Sequence, residues 1–186
     1  MTNFVKNSYE KHTEEFNVAE ENELKKQATW FQEDNVDYWR HFRMIEPVSP
    51  LLKLNPGSKW LTVGDGRFGL DSVRLKKIEP SIDVLASDIS PYLLEKSKEM
   101  GHISKFSVEN AERLSFEDDV FDYAFCKEAY HHFPRPQIAV HEMLRVSKKG
   151  IVFIEPNDHT DIGLLGKFIL NFKSLIKRLL GKNNFH

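Results

Sequence analysis

The chain has 186 residues, the size of one compact domain with room for a buried core, and 40% of them are apolar, which excludes wholesale disorder. Its 26 basic and 28 acidic groups leave a net charge of −2, a balance that does not suit a surface coating nucleic acid. The single cysteine, Cys126, excludes an internal disulfide and a multi-cysteine metal site and fits a reducing compartment.

The N-terminal stretch MTNFVKNSYEKHTEEF lacks the apolar core of a secretion signal, and no run of about eighteen uncharged apolar residues occurs, so the expected location is cytoplasmic. From Asn17 to Leu54, Trp30, Phe31, Tyr38, Trp39, Phe42 and Ile45 recur at three- and four-residue steps, predicting amphipathic helices interrupted by Pro47 and Pro50. Asn55-Pro56-Gly57-Ser58 signals a turn, and short apolar runs then alternate with helical patterns. Strands are predicted near 59–63, 82–87, 103–108, 120–126 and 151–155, and helices near 68–78, 90–100 and 136–147. Ser90-Pro91 reads as the N-cap and first-position proline of the second helix. Lys148-Lys149-Gly150 reads as the basic last turn and terminating glycine of the third. This alternation predicts an α/β fold: a doubly wound, mostly parallel sheet with helices on both faces.

The remaining segment, 161–186, carries five basic groups and one acidic one. Ile162, Leu165, Phe168, Ile169, Phe172, Leu175, Ile176 and Leu179 share one helical face there, opposite Lys167, Lys177 and Arg178. Three readings stay open for residues 161–182: the face packs on the sheet, meets an anionic membrane peripherally, or joins two copies as a homodimer. One domain over 1–186 is expected, with a helical segment to residue 54, a core over 55–160 and this C-terminal amphipathic basic helix.

In a doubly wound sheet, ligands bind beyond the carboxyl ends of the strands where the strand order reverses. The loop after the first strand, Gly64-Asp65-Gly66-Arg67-Phe68-Gly69, is a literal G-x-G-x-x-G between strand and helix. Glycine lets the backbone turn sharply and approach a ligand, and the helix N-terminus offers free N–H donors. Asp88 follows Gly64 by twenty-four positions, at the end of the second strand. A carboxylate there can accept from both hydroxyls of a ribose, or it can serve the start of the next helix. These features suit a nicotinamide dehydrogenase and a methyl-transfer enzyme equally.

The later segments separate the two. Asp88-Ile89-Ser90-Pro91, Val108-Glu109-Asn110-Ala111-Glu112-Arg113-Leu114-Ser115-Phe116, Phe121-Asp122-Tyr123-Ala124, His131-His132-Phe133, His141-Glu142-Met143-Leu144-Arg145-Val146-Ser147-Lys148-Lys149-Gly150 and Ile154-Glu155-Pro156 resemble, in order and spacing, the motifs of class I S-adenosylmethionine-dependent methyltransferases. The likeness covers roughly residues 57–156. It is nearest to the small-molecule (type 11) kind, which shares D-A-E-x-L-P-F before strand 4 and E-x-x-R-V-L-K-P-G before strand 5.

The resemblance implies a Rossmann-like fold and S-adenosylmethionine as cofactor. Gly64, Asp65 and Gly66 would approach its methionine part, Asp88 its ribose, and Ile89, Asn110 and Ala111 its adenine, while Lys127 would lie beside the methionine moiety and the substrate. Three positions depart from the family: Thr62 stands where an acid is usual, Asn110 where aspartate is, and Arg67-Phe68 where a further glycine falls. Asp65 could take over the cofactor ammonium from the missing acid. Arg67 either pairs with the cofactor carboxylate or points into solvent.

Transfer from a sulfonium needs alignment more than a nucleophile, so no catalytic residue is fixed; His131, His132 and Glu155 are the candidates for a base. Family members commonly build a lid from the N-terminal segment, where Tyr9, Trp30 or Trp39 could wall the site. The histidines show no metal-ligand spacing, and no metal is expected. The expected acceptor is a small-molecule, saccharide or lipid-linked substrate and not nucleic acid. Two rival readings are a dehydrogenase and a non-catalytic methyltransferase-like binding module. The dehydrogenase-like spelling Tyr92 to Lys96 falls too early in the chain for such an active site. Complete family members add two strands after the fifth. Only 31 residues follow Glu155 here, so either the sheet lacks the last two strands or the chain is a piece of a longer protein.

Overall fold

The computed structural model describes residues 6–11 and 29–155, and at its centre is a five-stranded parallel sheet in the order β3-β2-β1-β4-β5. The strands are β1 (Lys59–Val63), β2 (Asp83–Asp88), β3 (Phe106–Val108), β4 (Phe121–Lys127) and β5 (Ser147–Ile154). The helices are α1 (Val36–Ile45), α2 (Ser49–Leu54), α3 (Leu70–Ile78), α4 (Tyr92–Glu99) and α5 (Pro136–Val146).

The central strand β1 is buried from Trp60 to Val63 because both of its faces are covered. Trp60 points to one face, where it packs with Ile45, Leu52 and Leu75 from α1, α2 and α3 and stacks on Tyr123 at 4.6 Å between ring centroids. Its indole N–H donates to the Ser58 hydroxyl at 2.8 Å, so this large buried side chain leaves no polar atom unpaired. Leu61 and Val63 point to the other face and meet Ala139, Met143 and Val146 of α5. Cys126 lies in this second cluster, fully buried, and burial pushes its thiol pKa up, which makes it a core residue.

From β1 the chain winds outward through β2 to β3, then returns to place β4 on the other side of β1. That reversal opens a crevice at the carboxyl ends of β1 and β4.

Several predicted boundaries shift. The third strand covers only 106–108, because Ile103 leaves the strand line to pack with Ala86 and Leu94. Lys148-Lys149-Gly150 does not end a helix. The helix stops at Val146 and Ser147 already pairs with Phe121, so these residues lie inside β5, where Lys149 reaches Asp122 at 3.1 Å. Pro91, not Ser90, occupies the N-cap position of α4, and the Ser90 N–H donates to Asp88 instead. The helical stretch breaks at Pro47 and Pro50 as predicted: α1 ends at Ile45, and each proline sits in the first turn of the next helical piece, where its missing N–H costs nothing. The helical face predicted over 161–182 lies outside the described residues. Among the described residues no helix is long and apolar enough to cross a membrane.

Candidate functional site

The crevice at the strand reversal is a cavity walled by the loop after β1, the ends of β2 and β4, and the N-terminal segments. Gly64 begins that loop with φ +77°, and a side chain there would collide with Ala129. Gly66 lies against the Asp88 carboxyl group, where an added Cβ would sit 2.7 Å from Cγ. Phe68 holds a left-handed φ of +58° without being glycine, a strained conformation for an aromatic residue within the Arg67-Phe68 step of the loop. Buried packing, including an edge contact with Phe31 at 6.3 Å between centroids, holds Phe68 there.

Asp65 lines the cavity, but its carboxylate is engaged within the protein. Its Oδ1 accepts the Asp71 N–H at 3.0 Å; its Oδ2 accepts the Ser72 N–H at 3.0 Å and lies 2.7 Å from the Ser72 hydroxyl and 2.9 Å from that of Thr62. A buried carboxylate so surrounded anchors the N-terminus of α3 and has little left for a ligand ammonium. Thr62 thus becomes a donor to the acid three residues on.

Asp88 is buried at the end of β2 with Oδ1 accepting the Ser90 N–H at 2.8 Å, and the Gly66 and Ile89 N–H groups also hold it. Burial outweighs these bonds and pushes its pKa up to about 6. Ile89 and Ala111 line the same end of the cavity, together with Glu109. Asn110 does not line it. Its side-chain oxygen accepts the Glu112 N–H at 2.8 Å, so the amide closes its own turn.

At the other end, Lys127 on β4 contacts Glu128 at 2.5 Å and stands 3.8 Å from Asp71. His41, on α1, faces Glu128 at 3.3 Å and Asp37 at 3.5 Å, joining the helical segment to the cavity rim. The His41 contact, followed by Lys127, holds the Glu128 carboxyl well below the usual range against its partial burial. Burial raises the Asp65 and Asp71 carboxyls. For Asp71 the Asp65 charge adds to that effect, against Lys127 and Arg74. Arg74, one turn along α3 from Asp71, completes this buried ionic group.

His132 lines the cavity; His131 and Glu155 do not. These two hold each other at 2.6 Å from Nδ1 to Oε2, with Glu155 also accepting the Tyr130 N–H. Glu155 borders a shallow apolar groove beside β5 instead. Arg67 lines the cavity with an exposed side chain, its guanidinium 5.6 Å from the Trp30 ring centroid. Tyr9 and Trp30 line the cavity, whereas Trp39 is outward, 57% exposed, under Arg43.

Asp37, His41, Asp71 and Arg74 escaped the sequence reading. They fall inside helical patterns with no motif spelling; only Asp71 and Arg74, as paired charges on the first turns of the helix after the glycine loop, left a trace. The segment Glu142-x-x-Arg145 proves structural. Arg145 donates to the carbonyls of Leu114 (3.0 Å) and Phe116 (2.8 Å), and Glu142 accepts the Leu114 N–H, clamping the loop that carries Ala111.

Residues 61–154 match the family described as methyltransferase domain. The chain is 29% identical over 154 residues to a demethylmenaquinone methyltransferase of Bacillus cytotoxicus, covering 79% of this chain and 65% of that protein. It is 34% identical over 104 residues to a 2-methyl-6-phytyl-1,4-hydroquinone methyltransferase of Synechocystis sp., covering 54% and 32%. The chain therefore spans less than two thirds of the length of these relatives. Among solved structures, a protein of Pyrococcus horikoshii superposes with a TM-score of 0.56 at 26% identity, covering 67% of this chain and 61% of that one.

Proposed function

Because this chain belongs to the class I S-adenosylmethionine-dependent methyltransferase family, we propose that it transfers a methyl group from S-adenosylmethionine to a small-molecule acceptor. The observation that carries the reading is the buried Asp88 carboxylate at the strand reversal, seated against a glycine that leaves room for nothing larger. The residues present fit a nucleoside bearing an amino acid. Asp88 would accept from the ribose hydroxyls, Ile89 and Ala111 would flank the base, and the loop from Gly64 to Gly66 would meet the chain leading to sulfur. Lys127 would stand beside that chain at the acceptor end.

When bound, S-adenosylmethionine supplies a methyl on a sulfonium sulfur that leaves as a neutral thioether, without acid assistance. The chain's contribution is to hold donor and acceptor in line and keep water out, with Tyr9 and Trp30 covering the opening. For an acceptor that must lose a proton, His132, one of two cavity-lining imidazoles among the described residues with His41, stands just past the end of β4 to take it. The names of the two relatives favour an aromatic quinol acceptor over a saccharide, and nothing in the cavity favours nucleic acid.

A non-catalytic binding role is the second reading, favoured by Thr62 in place of an acid and by the engagement of Asp65 in helix anchoring. Calorimetric titration with S-adenosylmethionine tests the cofactor, and Asp88→Ala should weaken binding at least about tenfold through loss of charged hydrogen bonds. Unchanged affinity in that variant would refute the ribose assignment. Methyl transfer to a demethylated quinol separates enzyme from binding module.

A further inference from the structure

Arg74 is a buried cation with unused donor capacity. Its side chain is 4% exposed, lines the cavity, and has an Nε with no hydrogen-bond partner among the described residues. Its nearest carboxylate, Asp71 Oδ1, stands 3.6 Å from Nη1, beyond hydrogen-bond distance, and the same oxygen lies 3.8 Å from Lys127 Nζ. A buried guanidinium left short of partners is costly, so a ligand group that completes it binds with a large differential gain. The planar donors of arginine match a carboxylate.

Two other lining groups differ from this pair: Asp65 is engaged at the N-terminus of α3, and Arg67 is exposed beside Trp30, with no buried carboxylate next to it among the described residues. Of the remaining cavity carboxylates, Asp71 is the one that stands beside Arg74, a guanidinium that lies over the Tyr38 ring at 5.9 Å yet keeps that unpartnered Nε. Burial and the Asp65 charge both strain the ionised form of Asp71, a condition that an incoming cation relieves.

From this juxtaposition we infer that Asp71 and Arg74 form a subsite for an α-amino-acid zwitterion, Arg74 receiving the carboxylate and Asp71 the ammonium. This rests on the reading of the cavity as an S-adenosylmethionine site and assigns the amino-acid end of that cofactor to α3. It replaces the two sequence-level candidates, Asp65 and Arg67. Arg74 and Asp71 are binding residues in this assignment and play no part in methyl transfer itself.

Three nucleosides that differ only in their tails test the subsite by calorimetry on the full chain: S-adenosylhomocysteine, its decarboxylated amine, and 5′-methylthioadenosine, which lacks both charges. The wild type should bind S-adenosylhomocysteine at least about tenfold more tightly than methylthioadenosine. Arg74→Gln should lose about tenfold or more for S-adenosylhomocysteine alone, whereas Asp71→Asn should lose it for S-adenosylhomocysteine and for the amine. Neither should change methylthioadenosine binding by more than about twofold. Arg74→Lys, which keeps the charge and the fold, should recover part of the loss. Equal losses for all three ligands, or unchanged S-adenosylhomocysteine affinity in Arg74→Gln, would overturn the subsite. If wild type binds methylthioadenosine and S-adenosylhomocysteine equally, the nucleoside reading stands and the subsite alone falls, a result that needs no variant. If wild type binds neither, the cofactor reading falls and takes the subsite with it.

Discussion

Replacing Gly66 by alanine should disable the nucleoside end of the cavity while leaving the sheet intact. The added Cβ would sit 2.7 Å from both Cγ and Oδ2 of Asp88, and 3.0 Å from Oδ1. Ordinary contact starts near 3.4 Å, so the carboxyl group must retreat by about 0.7 Å. A retreat of that size stretches the 2.8 Å bond from the Ser90 N–H past hydrogen-bond length and moves the carboxylate away from the Gly66 and Ile89 donors. Overpacking and a weakened buried carboxylate together should cost about 1–3 kcal/mol of stability. Urea denaturation reads that cost, and calorimetry with S-adenosylhomocysteine reads the loss of binding. The clash has a single partner, so the penalty should shrink to about 0.5 kcal/mol or less when Gly66→Ala is made in an Asp88→Ala background. An equal penalty in both backgrounds would show that Gly66 acts through the turn itself and not through Asp88.

Stability should also depend on Asp88 with a defined sign. A buried acid whose folded pKa is raised binds more protons when folded. The wild type should therefore lose stability relative to Asp88→Asn as pH climbs from about 4 to about 6, by roughly 3 kcal/mol in all; a pH-independent difference contradicts this. Arg145→Ala removes donors to two loop carbonyls and should destabilise by about 2 kcal/mol in urea, with faster amide exchange over 110–118 as the local signature. His131→Ala should leave S-adenosylhomocysteine affinity within about twofold, because the imidazole is engaged with Glu155 outside the cavity; a tenfold loss would return it to the site.

The parallel sheet and the crevice were legible because they rest on local signals. A short strand-type run such as Trp60–Val63, a glycine loop and an acid at a strand end each declare themselves within a few residues. Lys148-Lys149-Gly150 misled because its helix-ending spelling was outweighed by pairing with β4 and by the Lys149–Asp122 contact, both distant in sequence. The surroundings of Asp65 were illegible for a related reason. Its position in the loop spoke of a ligand, whereas the donors from Ser72 and Thr62 that engage it come together only when β1 and α3 pack. Asp71 and Arg74 were hidden because a charged pair inside a helix ordinarily means a solvated face, and only burial reveals otherwise.

The strand order has a kinetic consequence. β1, β2 and β3 neighbour one another in sequence and in space, whereas β4 must return past them to close the seam with β1. Bridging the chain from Val63 to Phe121 carries a loop-closure entropy on the order of 3–4 kcal/mol before that seam gives anything back, so its closure should be a late, slow event in refolding. Gly64 comes from one side of the seam and Lys127 from the other. Ligand affinity acquired during refolding should therefore trail the burst of secondary structure, and time-resolved ligand capture would serve as a clock for the last long-range step.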